Sequence, residues 1–299
     1  MKEKVSLLWG VILILSLFSC RGKALKFSET GKAPLYHTWL SLNERQYGTP
    51  VSPLPEEIPP EGFLPWAGIA SHHLLTHDYL DAWFSRLAEI RMPQCFYILS
   101  PSHYGLSLEP YSLTTGSWES GFGLVESDLE KVRKLAKLLD VDLDPYVFEA
   151  EHGVSTFMPY IKKYFPSARV VAVAYEGDGP VNIPVCGRLA TVMENEFDDE
   201  GRQHNFLLVS ADFSHRGNPE ETEQKDFYSD LFLKNTAGIS WNMVSCDNRP
   251  GMYIIDRLGK NNLESSILYR TNSWEISGEG KDDITSYFFV YFADKKFKK

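Results

Sequence analysis

Four histidines stand where an apolar run or a helix start meets a polar loop, and imidazoles so placed bind metals or move protons. His72 follows Trp66-Ala67-Gly68-Ile69-Ala70-Ser71. His103 follows Phe96-Tyr97-Ile98-Leu99 across Ser100-Pro101-Ser102, and His215 follows Phe206-Leu207-Leu208-Val209 across Ser210-Ala211-Asp212-Phe213-Ser214. His152 lies beside Glu151 at the start of an expected helix. One histidine of this kind reads equally well as a capping or surface residue. Eight histidines in 299 residues would scatter, so four at such junctions favour a metal or acid/base site. Asp212, three residues before His215, is a carboxylate able to orient that ring or raise its basicity.

Other chemistries are excluded by what surrounds these residues. His73 and His77 have zincin-like spacing, but Leu74 stands where the glutamate base would be. There is no Gly-x-Ser-x-Gly elbow, no phosphate-cradling Gly-Lys-Ser/Thr loop and no dinucleotide fingerprint. Ser and Thr near the histidines therefore read as supporting hydrogen-bond donors. His37 reads as a solvated residue.

The elements that must position these residues alternate in type. Short, continuously apolar runs are predicted as buried strands at 66–70, 95–99, 170–175 and 206–209. Helices are predicted over His77–Arg91, from a Ser127/Glu130 capping box with Leu129, Val132, Leu135, Ala136 and Leu139 buried, over Glu151–Phe165 with a bend at Pro159, and over Val185–Phe197. A further helix starts at Pro219 with Asn218 as N-cap, and a short one covers Met252–Leu258. Ile267–Thr271 and Ser286–Phe292 are alternating aromatic strands that would add an antiparallel edge. The pattern predicts an α/β fold, a three-layer α/β/α sandwich on a mostly parallel sheet, with its site beyond the carboxyl ends of the strands.

Composition sets further limits. With 43% hydrophobic and 23% charged residues the chain can bury a large core, and a formal charge of −10 without a basic stripe excludes a nucleic-acid partner. Lys2 and Lys4 precede the apolar run Val5–Phe18, which ends in Leu17-Phe18-Ser19-Cys20. This is expected to be a lipoprotein signal peptide over residues 1–20, with an uncleaved anchor helix as the alternative. Lipidated Cys20 would hold the protein to a bacterial membrane on its extracytoplasmic face. The proline-rich stretch 21–64 is expected to be a tether, and 65–299 the functional domain. Export would permit a disulfide among Cys95, Cys186 and Cys246; a Cys95–Cys186 bridge stays open.

Five motifs occur together: Ile69-Ala70-Ser71-His72; Leu99-Ser100-Pro101-Ser102-His103; Glu151-His152-Gly153 with Pro159-Tyr160; Val209-Ser210-Ala211-Asp212-Phe213-Ser214-His215-Arg216-Gly217; and Cys246-Asp247-Asn248-Arg249-Pro250-Gly251. In this order the chain resembles the Memo-like proteins, whose bacterial and archaeal members are called AmmeMemoRadiSam system protein B, over residues 65–292. The resemblance implies a fold like the class III extradiol ring-cleaving dioxygenases and a mononuclear metal held by His72, His103 and Cys246. It also implies an acid/base role for His215, supported by Asp212, and a pocket position for His152.

Two imidazoles and a thiolate leave open positions on Fe(II) or Cu, with Zn as a further option. The resemblance thus implies redox or oxygen-dependent chemistry on an unknown small molecule; a non-catalytic binding module and a metal-assisted hydrolase are the alternatives. Two departures stand out. His72-His73-Leu74 replaces the family's His-Ala-Gly, and Phe157 replaces a family histidine, which predicts a more apolar pocket. The family's cytosolic radical-enzyme partners are not expected for an exported chain.

Overall fold

Residue 68 must be small because a Cβ there would lie 2.6 Å from the Trp83 ring and 2.8 Å from the Val290 carbonyl oxygen. That close approach seats the first long helix on the central sheet. The computed structural model describes residues 33–38, 53–107, 109–177 and 180–295. Its first half contains β1 (Leu35–His37), β2 (Ala67–Ala70), α1 (His77–Ile90), β3 (Cys95–Pro101), β4 (Ser112–Leu113), β5 (Ser117–Ser120), β6 (Gly123–Glu126) and α2 (Leu129–Leu139). Then come α3 (Val147–Ala150), α4 (His152–Ser155), α5 (Met158–Tyr164), β7 (Arg169–Tyr175), α6 (Ile183–Met193), α7 (Gly201–His204), β8 (Asn205–Ser210) and β9 (Phe213–Gly217). The chain continues through α8 (Pro219–Lys234), α9 (Arg249–Gly259), β10 (Leu263–Asn272), α10 (Ser273–Ser277) and β11 (Ile284–Asp294).

The large sheet has the order β10-β11-β2-β8-β3-β7-β4, with β9 paired to β11. Its centre, β2-β8-β3-β7, is parallel, while β11, β10, β4 and β9 join antiparallel. The expected α/β sandwich is thus observed, its sheet having a parallel core with antiparallel strands on both sides. Alternation along β3 explains the layers. Cys95, Tyr97 and Leu99 face Val132 and Leu135 of α2, Leu189 of α6 and Ile255 of α9. Phe96 and Ile98 face Trp83 and Phe84 of α1 and Ile161 of α5. Both faces are covered, which is why these strands read as continuous apolar runs. Each fully buried large side chain contributes about 1.5–3 kcal/mol.

Several local expectations are corrected. Asp128, not Ser127, caps α2 by accepting from Lys131 N. The Ser127 hydroxyl instead donates to the Gly116 carbonyl at 2.5 Å, and Leu129 is exposed. The expected helix over 151–165 is divided into α4 and α5, with Pro159 in the first turn of α5, where its missing N–H costs nothing. Asn218 caps α8 as expected, in a capping box with Glu221.

Parts of the expected tether are built into the domain. β1 pairs in parallel with β5 in a second sheet, β1-β5-β6, and Tyr36 is buried with its hydroxyl 2.6 Å from Thr114 Oγ1. Glu56 N donates to Leu268 O at 2.7 Å, Ile267 N donates to Glu57 Oε2 at 2.8 Å, and Phe63 is buried. Apolar burial holds these stretches down despite the flanking prolines. His37 is exposed and stands 3.1 Å from Glu119. Cys95, Cys186 and Cys246 form no disulfide. The signal peptide and Cys20 lie outside the described residues. Among those described, no helix is long and apolar enough to cross a membrane.

Candidate metal centre

β2, β8 and β3 are consecutive in the sheet and parallel, so the loops that follow them leave side by side. This adjacency brings together His72, Asp212 and His103, which are far apart in sequence. They line a pocket of about 610 Å³ with His73, His152, His215, Arg216, Ser245, Cys246, Asp247 and Thr285. Every expected site residue borders this pocket.

His72 is almost fully buried, with Nδ1 2.9 Å from Ser210 Oγ. Its Nε2 faces Asp247 Oδ2 at 3.4 Å and Asp212 Oδ2 at 3.7 Å. Burial, and after it the neighbouring histidines, holds this ring well below its ordinary pKa, so it is neutral. His103 donates from Nδ1 to Glu151 Oε1 at 2.6 Å, and its backbone N–H donates to Glu151 Oε2 at 2.9 Å. Burial disfavours charge on His103, but the Asp247 and Glu151 carboxylates outweigh it and raise its pKa to about 10. One ring nitrogen from each of His72, His103 and His152 lies within 4.8 Å of the others. His152 Nδ1 is buried without a hydrogen-bond partner, and burial lowers its pKa.

The carboxylates are as enclosed as the rings. Asp212 accepts from Ser71 Oγ at 2.6 Å, so its hydrogen bond goes to the loop after β2 and not to the His215 ring as expected. Asp247 Oδ1 accepts from Asp212 N at 3.1 Å. Asp247 Oδ2 is buried with no hydrogen-bond partner, and faces the Nε2 atoms of His72, His103 and His215 at 3.4, 3.8 and 3.9 Å. Desolvation, reinforced by Asp212, lifts the Asp247 pKa to about 6. Burial also raises Asp212. Burial would raise Glu151 too, but its bonds to His103 and to Gly153 N outweigh that and hold it low.

A buried, unpartnered carboxylate oxygen ringed by imidazole nitrogens beyond hydrogen-bond range fits a bound cation. The residues present therefore suit a metal ion. Among the described residues the donor sets are His72–His103–His152 and His72–Asp212–Asp247. Cys246 borders the pocket, but its sulfur belongs to neither set. Its neighbour Asp247 faces the two imidazoles through Oδ2.

The backbone around these groups is tightly held. His215 lies between Ser214 and Arg216, whose φ values are +21° and +55°, in the left-handed region that non-glycine residues seldom occupy. Ser214 Oγ donates to Asp226 Oδ1 at 2.6 Å, which anchors that turn to α8. Asn248 is fully buried and donates to Leu99 O and Ser210 O while accepting from Gly251 N and the Tyr175 hydroxyl. It ties the 246–248 turn to the ends of β3 and β8. Gly153 packs against Ser100 Oγ, and a Cβ there would also lie 3.1 Å from the His103 ring.

The sequence reading named Glu151, Asp247, Asn248 and His73 but gave them no role in the site. A carboxylate adjoining each of His152 and Cys246 was the available signal for the first two. His73 borders the pocket and is hydrogen-bonded to the Tyr287 hydroxyl. Phe157, expected to make the pocket apolar, is fully buried against Phe84 and does not line it.

The family model for Memo-like proteins matches residues 79–239, a stretch that includes His103, His152, Asp212 and His215. A MEMO1 family protein of Caldivirga maquilingensis is 31% identical over 166 residues, covering 54% of this chain and 55% of that one. A MEMO1 family protein of Pyrobaculum aerophilum is 25% identical over 283 residues, or 89% and 95% of the two chains. One from Pyrobaculum arsenaticum is 29% identical over 227 residues, or 71% and 77%. By the breadth of the model match and the agreement of these relatives, the chain belongs to the Memo-like family.

Proposed function

We propose that this chain is an exported, lipid-anchored protein whose pocket holds one redox-capable metal ion, iron or copper, for oxygen-dependent or redox chemistry on a small substrate. The observation that carries the reading is the convergence of His72, His103 and His152 nitrogens beside a buried, unpartnered carboxylate oxygen. A bound ion would supply Lewis-acid or one-electron chemistry at this point. His72 and His103 would hold it, each with its second ring nitrogen engaged by Ser210 or Glu151. His215, with its side chain 45% exposed, stands at the pocket mouth, where it can pass a proton between substrate and solvent. Asp212 acts by positioning the His72 loop through Ser71. His152 contributes a second pocket base.

Membrane attachment at Cys20 rests on the sequence of residues 1–20. An extracytoplasmic location would also separate the protein from cytosolic radical enzymes. A second reading is a non-catalytic metal- or ligand-binding module; the engagement of His73 by Tyr287, in place of a small loop residue, favours it. Anaerobic metal quantification of the purified protein, with a spectrum of the bound ion, tests the proposal. One redox-active ion per chain is the expected result, and a chain that takes up no metal would overturn it. Zinc, with activity indifferent to oxygen, would point to hydrolysis instead.

A further inference from the structure

One wall of the pocket is built from neighbouring stretches of backbone. Along one edge β9 pairs with β11, Ile284 opposite Gly217 and Ser286 opposite Phe213. Along its other edge Phe213 bridges to Cys246, and Ser214 N donates to Ser245 O at 3.0 Å. Arg216, Ser245 and Thr285 therefore line the pocket as neighbours. In a regular strand consecutive side chains point to opposite faces, yet His215 and Arg216 both border this pocket. The left-handed backbone at Ser214 and Arg216 breaks the alternation. An arginine seldom adopts such a φ, and strain of this kind gathers at ligand sites.

This wall carries unused donors. Among the described residues the exposed Arg216 guanidinium has no ion-pair or hydrogen-bond partner, although two carboxylates border the same pocket. Both are engaged elsewhere. Asp212 accepts from Ser71 Oγ, and Asp247 Oδ2 faces the imidazoles of His72, His103 and His215. Ser245 and Thr285 are tied down through their backbone N–H groups, which donate to Ser229 Oγ and Ser273 Oγ. Their own hydroxyls have no partner among the described residues.

We propose that this wall recognises the oxyanion of a small substrate, a carboxylate or a phosphate, through Arg216 with the Ser245 and Thr285 hydroxyls beside it. The proposal rests on the reading of the pocket as the functional site, and it names the class of molecule taken there. A planar guanidinium fork meets either oxyanion with two parallel N–H···O bonds. With its anionic end held here, the rest of the molecule has a cavity of about 610 Å³ in which to reach the imidazoles.

The test is NMR titration of the purified full chain with benzoate, phenyl phosphate and the neutral benzamide. Wild type is compared with Arg216→Gln and with Arg133→Gln, which removes an exposed charge from α2. Wild type and Arg133→Gln should bind an anionic probe at least about 10-fold more tightly than benzamide, and Arg216→Gln should lose about 10-fold or more of that affinity. Tighter binding of benzoate identifies a carboxylate, and tighter binding of phenyl phosphate a phosphate. Affinity for the anions no greater than for benzamide, or unchanged in Arg216→Gln, overturns the proposal. If Arg216→Gln does not fold, the wild-type Arg216 Nε–H signal decides. It should shift with an anion and not with benzamide, and a signal that stays still overturns the proposal. Metal content of the same samples separates the two readings. A metal-free chain whose anion binding depends on Arg216 overturns the metal reading alone, and a metal-loaded chain indifferent to Arg216 overturns this one alone.

Discussion

Glu151 Oε1 accepts the Nδ1 proton of His103 at 2.6 Å, while its Oε2 accepts the backbone N–H of the same residue at 2.9 Å. One carboxylate thus sets both the ring tautomer and the backbone of the loop that carries it, and leaves Nε2 facing Asp247. In Glu151→Gln, the amide would keep the first bond and oppose the backbone donor with a donor of its own. Metal affinity should fall about 10- to 100-fold by titration calorimetry, with a far smaller change in thermal stability.

Asn248→Ala tests how the turn is held. It removes partners from Leu99 O, Ser210 O, Gly251 N and the Tyr175 hydroxyl, all in the interior. At about 1–3 kcal/mol for each buried group left unsatisfied, the variant should lose at least about 3 kcal/mol in denaturant unfolding. A loss near zero would mean that the turn is held by other contacts.

Acid stability should depend on Glu196, far from the pocket. Burial pushes its pKa up, but Lys134, at 2.6 Å, and the Tyr97 hydroxyl, at 2.7 Å, outweigh this and hold it below its ordinary range. A depressed folded-state pKa stabilises the protein above the unfolded value, about 4.3, and that contribution is lost as pH falls through the folded value. The melting temperatures of wild type and Glu196→Gln should therefore differ at neutral pH and converge in acid. A gap that stays constant with pH would count against this ion pair.

Tyr36 lies ahead of the first central strand, yet it packs against Trp118 with ring centroids 5.0 Å apart. If β1 is integral to the domain, Tyr36→Ala should cost about 3–5 kcal/mol by chemical denaturation. A free tether would show no change.

Much of this protein is legible in its sequence, and the limits of that reading have physical causes. Buried parallel strands write themselves as apolar runs because both their faces are covered, so β2, β3, β7 and β8 are visible before any fold is known. The same runs mark His72 and His103 by placing them in the loops beyond, and His215 in the short strand β9 that follows β8. The split of the helix at Thr156–Phe157, the inward burial of Phe157 and the docking of β1 are invisible to a periodicity reading, because each depends on a partner distant in the chain.

The arrangement of the turn that carries Cys246 and Asp247 is of that second kind. Sequence by itself determined that His72 and His103 stand beyond two buried strands and that Cys246-Asp247-Asn248 precedes a short helix. Only the tertiary structure decided that the Asp247 carboxylate faces the Nε2 atoms of the two histidines, at 3.4 and 3.8 Å. The Asn248 hydrogen bonds and the paired Asp212–Asp247 bonds hold that turn through partners distant in the chain, which is why periodicity alone does not reveal it.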